Sequence, residues 1–480
     1  MSRARTGSSR SHAKSEGAKT ESYSRAPKDG SGERDSNEAP RWSTRFRKIA
    51  TSLSLIVFIA FVLRLGFAWD YARQNSHQAL AVVPFLQEAG NIAISLATGH
   101  GFSSPFRVDT GPTAWMTPVY PWILSELFRI FGVRTYDSFV AAAVFNIICS
   151  ALTCIPIFLA GKRVAGIGAA AGAAWLWAIF PNTILNTFQS MWDASLGALL
   201  AATILWATLA LGRSERRRDW CAYGFLWGLG LLTTATLIAL LPLLLGWLVY
   251  ERSRSRGTVE IQRWRLKSAF AQPALTALFA LLCCVPWAVR NYEIFHRFVP
   301  LRSNLGLQLW LGNNENAEES WREQLHPIFN SAERARYVAL GEIDYMQEKK
   351  SEAVAYMFSH PGRTARLAAS RFVATWSGGT PHPLADFLHT PNLWFRGVLL
   401  FNICIALGAA AGILVLVKKR SAYALPIAAF PVILPWAYYL TLAYPRYRLP
   451  VDPAVLLLTA VALQTLFSAR APSAASSSHR

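Results

Sequence analysis

The chain has 480 residues, of which 52% are hydrophobic and only 16% charged, and its formal net charge is +20. A water-soluble domain of this size carries more charge, so the composition indicates a membrane protein. The positive charge does not indicate nucleic acid as a partner. Its basic runs stand beside the ends of apolar segments, at 162–163, 213–218, 252–267 and 418–420. This is the positive-inside pattern of cytoplasmic loops.

The two ends of the chain differ from its middle. Residues 1–48 hold twelve Lys and Arg against six Asp and Glu, with few large apolar residues, and they predict a disordered, basic, cytoplasmic tail. Residues 470–480 predict a second disordered tail. Residues 49–469 between them predict an all-α transmembrane domain.

Apolar segments of about 20 residues predict membrane-spanning helices. They lie at 49–68, 139–160, 164–181, 190–211, 268–288, 393–416, 422–440 and 450–468. The segment 220–250 is too long for one span and has basic runs at both ends, so it predicts a hairpin broken near 233–236. The segment 113–131 predicts a juxtamembrane or partly re-entrant helix. The sum is about ten spans with both termini cytoplasmic.

Two long segments remain as large non-cytoplasmic loops, loop one at 69–138 and loop two at 290–392. Loop two carries eleven basic and eleven acidic residues, so no excess of positive charge opposes its translocation. Within it, Asn330 predicts a helix N-cap, followed by one helix to about Ser359 and a second helix at 364–376. In loop one, Glu88 leads a short amphipathic helix that ends at Gly99.

The six cysteines and the histidines show no metal-ligand or disulfide spacing. No cofactor is therefore predicted, and a divalent metal stays open without a residue pattern that supports it. The pair Trp192-Asp193 opens the span at 190–211 on the outer side, where Asp193 predicts a helix cap, with substrate contact as the second interpretation.

Five motifs occur in an order that resembles the GT-C superfamily of integral-membrane glycosyltransferases. The nearest match is the bacterial group related to protein mannosyltransferases and lipid A aminoarabinose transferases, glycosyltransferase family 39 and its relatives. The motifs are Arg64 at the end of the first span, the helix from Glu88 to the Gly-His-Gly-Phe at 99–102, Pro118-Val-Tyr-Pro121, Leu311-Gly-Asn-Asn314 and Pro445-Arg-Tyr-Arg-Leu-Pro450.

The resemblance implies a GT-C-like fold and an inverting hexosyl- or pentosyltransferase of the cell envelope. Such an enzyme takes a sugar from a polyprenyl-phosphate carrier and gives it to an acceptor hydroxyl on a glycan, lipid or protein. The reaction takes place at the non-cytoplasmic face of a bacterial-type inner membrane. Relatives carry an acidic base in the first outer loop. Glu88 is the only carboxylate on the matching helix, so it is the leading candidate, with Asp70 second and Asp109 as a further fallback.

The resemblance also implies substrate-binding residues. Cations must neutralise the departing lipid phosphate, and Arg64, Arg290, Arg446 and Arg448 are the candidates. Trp115, Asn313, Asn314 and Tyr444 are the candidates for the rest of the substrate pocket. Simpler interpretations stay open: Arg64 as a snorkelling anchor, Asn313-Asn314 as a turn, and Trp115 as part of an aromatic belt.

Two other classes of protein fit the predicted architecture. A polysaccharide polymerase or ligase would also be polytopic with a large outer loop, although it would not explain the helix that begins at Glu88. A transporter of lipid-linked glycans would place ionisable residues inside its spans or show internal repeats. The spans here are nearly free of charge, and no repeat is visible.

Overall fold

The computed structural model of the chain describes residues 49–212, 214–254, 259–318 and 322–470. The predicted tail 1–48 lies outside the described residues, and so does the predicted tail 470–480 except for Arg470, which ends the last helix. Within the described ranges the protein is helical, and its β-structure is one isolated bridge between Ser103 and Pro112. The predicted all-α class is therefore confirmed.

The α-helices are numbered along the chain. Those of the first half are α1 Leu53–Gln74, α2 His77–Val82, α3 Glu88–Ala97, α4 Val119–Phe131, α5 Tyr136–Leu152, α6 Cys154–Ala165, α7 Ile167–Ile179, α8 Pro181–Leu185, α9 Ala194–Leu211, α10 Arg217–Leu231 and α11 Leu241–Ser253. Those of the second half are α12 Val259–Phe295, α13 Leu305–Gly312, α14 Ser331–Leu340, α15 Glu342–Ser359, α16 Pro361–Ser377, α17 Pro383–His389, α18 Leu393–Lys418, α19 Ala424–Ile433, α20 Trp436–Leu440 and α21 Asp452–Arg470. Short 3₁₀ helices lie at Val83–Phe85, Ala235–Ala239, Glu323–Leu325 and Pro445–Arg448.

Several helices are long and apolar enough to cross a membrane. Among the described residues there are six, at Leu53–Gln74, Tyr136–Ala165, Ala194–Leu211, Ala235–Ser253, Ala269–Phe295 and Leu393–Lys418. A seventh results if His77–Phe85 and Glu88–Ala97, which meet at a 100° bend, are counted as one. Shorter apolar helices at Ile167–Ile179, Ala424–Leu440 and Asp452–Ser468 fall within further predicted spans. A multi-pass membrane protein is confirmed, and the number of about ten crossings stays a prediction.

The hairpin predicted within 220–250 breaks where the sequence indicates. Helix α10 ends at Leu231, and a 3₁₀ helix begins at Ala235. Two carbonyl groups freed at this break accept hydrogen bonds from the segment that leads into α4. The Thr117 hydroxyl donates to the Thr233 carbonyl (2.7 Å), and the Val119 amide donates to the Leu232 carbonyl (3.2 Å). The broken helix thus binds loop one at its break, where unsatisfied carbonyls would otherwise be costly.

Close helix packing depends on small residues. On α10, an added Cβ at Gly224 would lie 2.6 Å from the Thr276 carbonyl oxygen of α12, and one at Gly228 would lie 2.3 Å from the Cβ of Cys283. Only glycine allows this approach of the two backbones. By contrast, Gly168 and Gly172 of α7 meet α21 at ordinary contact distances.

In loop two, the predicted single helix from Asn330 to Ser359 is wrong in one respect. It is two helices, α14 and α15, which meet at Gly341, whose φ of +78° ends the first helix. The predicted N-cap is confirmed, because the Asn330 side chain accepts hydrogen bonds from the backbone amides of Ala332 and Glu333.

The buried carboxylate of Glu342, at the start of α15, fastens loop two to loop one. It accepts hydrogen bonds from the Ala114 amide (2.7 Å), the hydroxyl of Ser303 (2.6 Å), the hydroxyl of Tyr337 (2.6 Å) and the hydroxyl of Thr113. Four donors satisfy both oxygens of this charge, as burial requires. The two loops therefore form one packed layer at one end of the helix bundle.

Candidate functional site

A cavity of about 890 Å³ lies where the two loops meet the ends of the helices. We call it the interloop cavity. Its polar wall is built from loop one, loop two, the residues that precede α9 and the turn that precedes α21. These parts contribute Gln87, Glu88, Trp115, Trp192, Asp193, Arg302, His326, Tyr444 and Arg446. Its apolar lining includes Ile238, Leu305, Ile433 and Trp436.

Glu88 lies in this cavity at the first position of α3, as the sequence predicts, and its surface is only 6% exposed. Its Oε1 lies 3.2 Å from Nε2 of His326, which belongs to loop two. The Ile328 amide donates to Nδ1 of the same ring (3.2 Å), so the ring proton resides on Nε2 and faces the carboxylate. Burial raises the pKa of Glu88, but the hydrogen bond from His326, the backbone amide of Glu88 and the charge of Arg446 together outweigh it and hold this pKa below its usual value.

Asp193 is a second carboxylate in the cavity. The sequence predicts it first as a helix cap and only second as a substrate contact. The predicted capping bond is not formed. Instead, Oδ2 accepts a hydrogen bond from the Thr234 hydroxyl (3.1 Å), which comes from the broken hairpin. Burial raises the pKa of Asp193 above its usual value, although Arg302, Thr234 and Arg446 oppose this effect. Two carboxylates in one cavity thus have pKa values displaced in opposite directions, a pattern typical of sites of acid–base chemistry.

Arg446 is the predicted phosphate ligand that the structure places in the cavity. Its Cζ lies 4.2 Å from the ring centroid of Trp192, 4.4 Å from that of Tyr444 and 5.0 Å from that of Tyr447. These aromatic rings fix the guanidinium near both carboxylates. Among the described residues, the buried Nε of Arg446 and the buried Nε1 of Trp192 have no hydrogen-bond acceptor. Two oriented donors therefore remain for a ligand.

Two further residues from the sequence analysis, Trp115 and Tyr444, also line the cavity. The Trp115 ring is buried and packs edge-on against Phe106 and His326, with centroids 4.7 and 5.6 Å apart. It therefore supports the histidine that holds Glu88.

Arg64 lies away from the cavity, inside the helix bundle. Its five N–H groups all have acceptors there, on Ala60, Ser150, Trp177, Ala178 and Thr183, at 2.8–3.1 Å. This arginine ties α1 to α5, α7 and α8, and it has no donor left for a phosphate.

Arg448 and Arg290 also lie outside the cavity lining. Arg448 is buried, with its Nε 2.6 Å from Oδ1 of Asp452. Arg290 donates to the carbonyls of Thr113 (2.7 Å) and Phe102 (2.8 Å), so it anchors loop one to the end of α12.

Asn313, Asn314 and Asp70 do not line the cavity either. Asn313 donates to the Leu440 carbonyl (2.7 Å), and Asn314 donates to the Trp310 carbonyl (2.6 Å), so both hold the turn that follows α13. Asp70 is exposed on α1 and accepts a hydrogen bond from Gln74. In the part of the chain that the structure describes, no group of three His, Cys, Asp or Glu side chains could hold a metal ion.

The fold and the cavity define a multi-pass membrane protein with a polar site between two loops, and the comparisons agree. Residues 115–289, a little over a third of the chain, match the family of dolichyl-phosphate-mannose-protein mannosyltransferases. No curated protein sequence matches the chain. The resemblance to the GT-C superfamily of glycosyltransferases is therefore confirmed at the level of the superfamily.

Solved structures of an archaeal oligosaccharyltransferase share the fold at low sequence identity. The oligosaccharyltransferase of Archaeoglobus fulgidus in its apo form aligns over 89% of this chain and 51% of its own, with 15% identity and a TM-score of 0.53. The same enzyme, AglB, in complex with an inhibitory peptide and a dolichol-phosphate aligns with a TM-score of 0.51, again with 15% identity over 89% of this chain and 51% of its own. The present chain thus spans about half the length of that enzyme. ArnT from Cupriavidus metallidurans aligns over 84% of this chain and 77% of its own, with 17% identity and a TM-score of 0.33.

Proposed function

We propose that the protein transfers a sugar from a polyprenyl-phosphate carrier to an acceptor hydroxyl, and that the interloop cavity is its active site. The observation that carries the proposal is the meeting of Glu88, Asp193 and Arg446 in one cavity that also has apolar lining residues. The superfamily resemblance supports a glycosyltransferase. The structure of AglB with a dolichol-phosphate supports a lipid-linked donor.

The apolar lining supports a lipid-borne donor on physical grounds. Ile238, Leu305 and Trp436 line the cavity and are also 51%, 55% and 59% exposed, so apolar surface leads from the cavity to the outside of the bundle. A polyprenyl chain would lie along this surface within the bilayer. Its phosphate would then meet Arg446 and the Trp192 indole, whose buried donors have no acceptor among the described residues.

The proposed reaction is an inverting displacement at the anomeric carbon. A carboxylate takes the proton of the acceptor hydroxyl while its oxygen bonds to the anomeric carbon. The bond from that carbon to the phosphate oxygen breaks, and the lipid phosphate leaves with the electron pair. Arg446 stabilises the negative charge that develops on the phosphate.

Glu88 is our leading base, because it lies on loop one at the start of the helix that resembles the superfamily's catalytic helix. Asp193 replaces Asp70 as the second candidate base, since Asp70 is exposed and does not line the cavity. Asp193 has the raised pKa expected of a good proton acceptor, whereas Glu88 accepts a hydrogen bond from His326. The acid–base roles of the two carboxylates therefore need separate tests.

The test uses a deletion strain that carries each variant and measures its lipid-linked saccharides and the sugar on the acceptor. Glu88→Gln should lower transfer by roughly 10²–10⁴-fold, the usual contribution of a general base, and donor-lipid binding should remain. Asp193→Asn is measured in parallel. Glu126→Gln, which removes an exposed carboxylate on α4, is the matched control.

The outcomes separate the classes of function. Near-native transfer in both Glu88→Gln and Asp193→Asn would contradict the proposed active site, the more so if Asp70→Asn lost activity. Loss of one sugar in the deletion strain supports a transferase. Loss of polymer length would instead indicate a polymerase or ligase, and unchanged sugars with blocked translocation a transporter.

We place this reaction at the non-cytoplasmic face of a bacterial-type inner membrane, with both termini in the cytoplasm. The support is the charge pattern. Loop two is neutral, and the basic runs at 162–163, 213–218, 252–267 and 418–420 all fall on the opposite side in the ten-span topology.

A further inference from the structure

Two arginines that the proposed reaction does not use lie close together on loop one and the turn that precedes α5. Arg107 donates from Nε to the Leu86 carbonyl (3.2 Å), and Arg134 donates from Nη2 to Oδ1 of Asn91 (3.3 Å). The Asn91 side chain also donates to the Leu86 carbonyl (3.3 Å). The Leu86 carbonyl and the Asn91 side-chain amide therefore connect the two guanidinium groups. Both guanidinium groups lie against the segment 86–91.

The protein does not neutralise these two charges. In the ranges that the structure describes, neither arginine has an acidic side chain at ion-pair distance. The Nε of Arg134 is buried and has no acceptor there. Burial, and then the neighbouring charge of Arg107, lower the pKa of Arg134. Two like charges held together are unfavourable, and a bound anion would relieve their repulsion.

The backbone at both positions is unusual for arginine. Arg107 has φ +65° and Arg134 has φ +53°, in the left-handed region that non-glycine residues rarely adopt. Side chains held in this region often belong to binding sites, because the surrounding structure must maintain them there. At both positions glycine would adopt this backbone conformation more readily than arginine does, yet the chain has an arginine there.

The pair stands at the rim of the interloop cavity. The Cζ of Arg107 lies 5.2 Å from the ring centroid of Phe329, and Phe329 lines the cavity. The segment that carries Leu86 continues into Gln87 and Glu88, which also line it. A ligand held by the two arginines would extend past Phe329 towards the carboxylate of Glu88.

We propose that Arg107 and Arg134 bind a phosphate monoester carried by the acceptor substrate. Two guanidinium groups carry two positive charges, and a phosphate monoester at neutral pH carries a charge of about −1.5 to −2, which a single carboxylate does not match. The assignment of the ligand to the acceptor rests on the proposed transferase function. The binding of the phosphate group does not depend on it.

Binding is measured by thermophoresis of the purified, detergent-solubilised full chain with dihexanoyl phosphatidic acid, a phosphate monoester on a short lipid. The Arg446→Gln background removes the guanidinium proposed to bind the donor phosphate. In this background, Arg107→Gln or Arg134→Gln should weaken binding by about tenfold or more, as expected for one hydrogen bond to a charged group. Arg129→Gln, which removes an exposed and paired arginine of α4, should leave binding unchanged.

The variants Arg107→Gly and Arg134→Gly remove the same side chains and place at each position the residue that adopts a left-handed backbone most readily. Loss of binding in these variants is therefore due to the missing guanidinium group and not to a folding defect. Inorganic phosphate is the second probe. If it binds as tightly as phosphatidic acid, the site accepts any phosphorylated acceptor. If only phosphatidic acid binds, the site selects a lipid-borne phosphate.

The proposal is overturned if neither probe binds, if the four variants bind like the Arg446→Gln parent, or if Arg129→Gln loses binding equally. Failure of the transfer reaction itself would leave this binding result unaffected, so the two proposals can fail separately.

Discussion

The bond network of Glu342 makes the most direct prediction about stability. Its carboxylate receives four donors, of which the Ala114 amide and the Thr113 hydroxyl come from loop one, the Ser303 hydroxyl from the start of loop two and the Tyr337 hydroxyl from α14. Glu342→Leu keeps the apolar volume of the side chain but removes both acceptor oxygens, and with them all four hydrogen bonds. The variant should therefore loosen the contact between the two loops without opening a large void.

The loss of stability depends on whether each of the four donors can find another acceptor in Glu342→Leu. The Ala114 amide cannot rotate, and a buried unpaired N–H costs about 1–3 kcal/mol. The three hydroxyls can turn to other acceptors, so together they should add roughly the same again. We expect Glu342→Leu to lower the free energy of unfolding by about 2–6 kcal/mol. Glu342→Gln should cost less, because its amide oxygen still accepts and its NH₂ group can donate to hydroxyls that rotate.

The assay is thermal unfolding of the detergent-solubilised protein, followed with a thiol-reactive fluorophore. Cys149, Cys154 and Cys284 are free and buried, so they react only when the bundle opens. The expected order of thermal stability is wild type, then Glu342→Gln, then Glu342→Leu. Asp344→Leu, an exposed position on the same first turn, is the control and should differ from wild type by less than about 1 kcal/mol. A wild-type transition in Glu342→Leu would refute the reasoning.

Three further predictions concern the site and its orientation. His326→Phe keeps Glu88 buried but removes the hydrogen bond that lowers its pKa. The acid limb of the pH–activity profile should therefore move to higher pH. An unmoved acid limb would argue against Glu88 as the base. Arg446→Lys should weaken donor-lipid binding, because a point charge lacks the guanidinium fork. Arg448→Lys should chiefly lower thermal stability, because Arg448 is paired with Asp452. If Arg448→Lys weakens donor binding and Arg446→Lys only lowers stability, the two roles are exchanged. Reporter fusions should read non-cytoplasmic after residues 110 and 330 and cytoplasmic after 216, 258, 419 and 475, and a cytoplasmic signal at 330 would contradict the proposed face.

The helices could be predicted because hydrophobic length and charge act locally. The break of the 220–250 hairpin and the N-cap at Asn330 were both visible in the sequence and are both present. The break at Gly341 was missed, because a glycine within a helical pattern is usually tolerated and only its φ of +78° ends the helix here. The number of membrane crossings depends on the short helices, whose length alone does not decide it.

The arginines could not be sorted from the sequence, because their roles depend on which acceptors surround them. Arg64, Arg290, Arg446 and Arg448 all stand at ends of apolar segments and look alike there. In the fold, carbonyls and hydroxyls take every N–H of Arg64, backbone carbonyls hold Arg290, and Asp452 pairs with Arg448. Arg446 differs because aromatic rings orient it and leave its Nε without an acceptor among the described residues.

Asp193 shows how the site arises from a feature that is not local. In the sequence it is an acidic residue at the start of a span, which predicts a cap. The cap bond is absent, and the backbone of Asp193 is helical instead of extended as in a typical cap. Its carboxylate accepts instead from the hydroxyl of Thr234, forty-one residues further along, at the break of the hairpin. The same break accepts hydrogen bonds from Thr117 and Val119 of loop one. One interruption of a helix thus positions a carboxylate and docks the loop that carries Glu88, so both acids of the proposed reaction depend on the hairpin break.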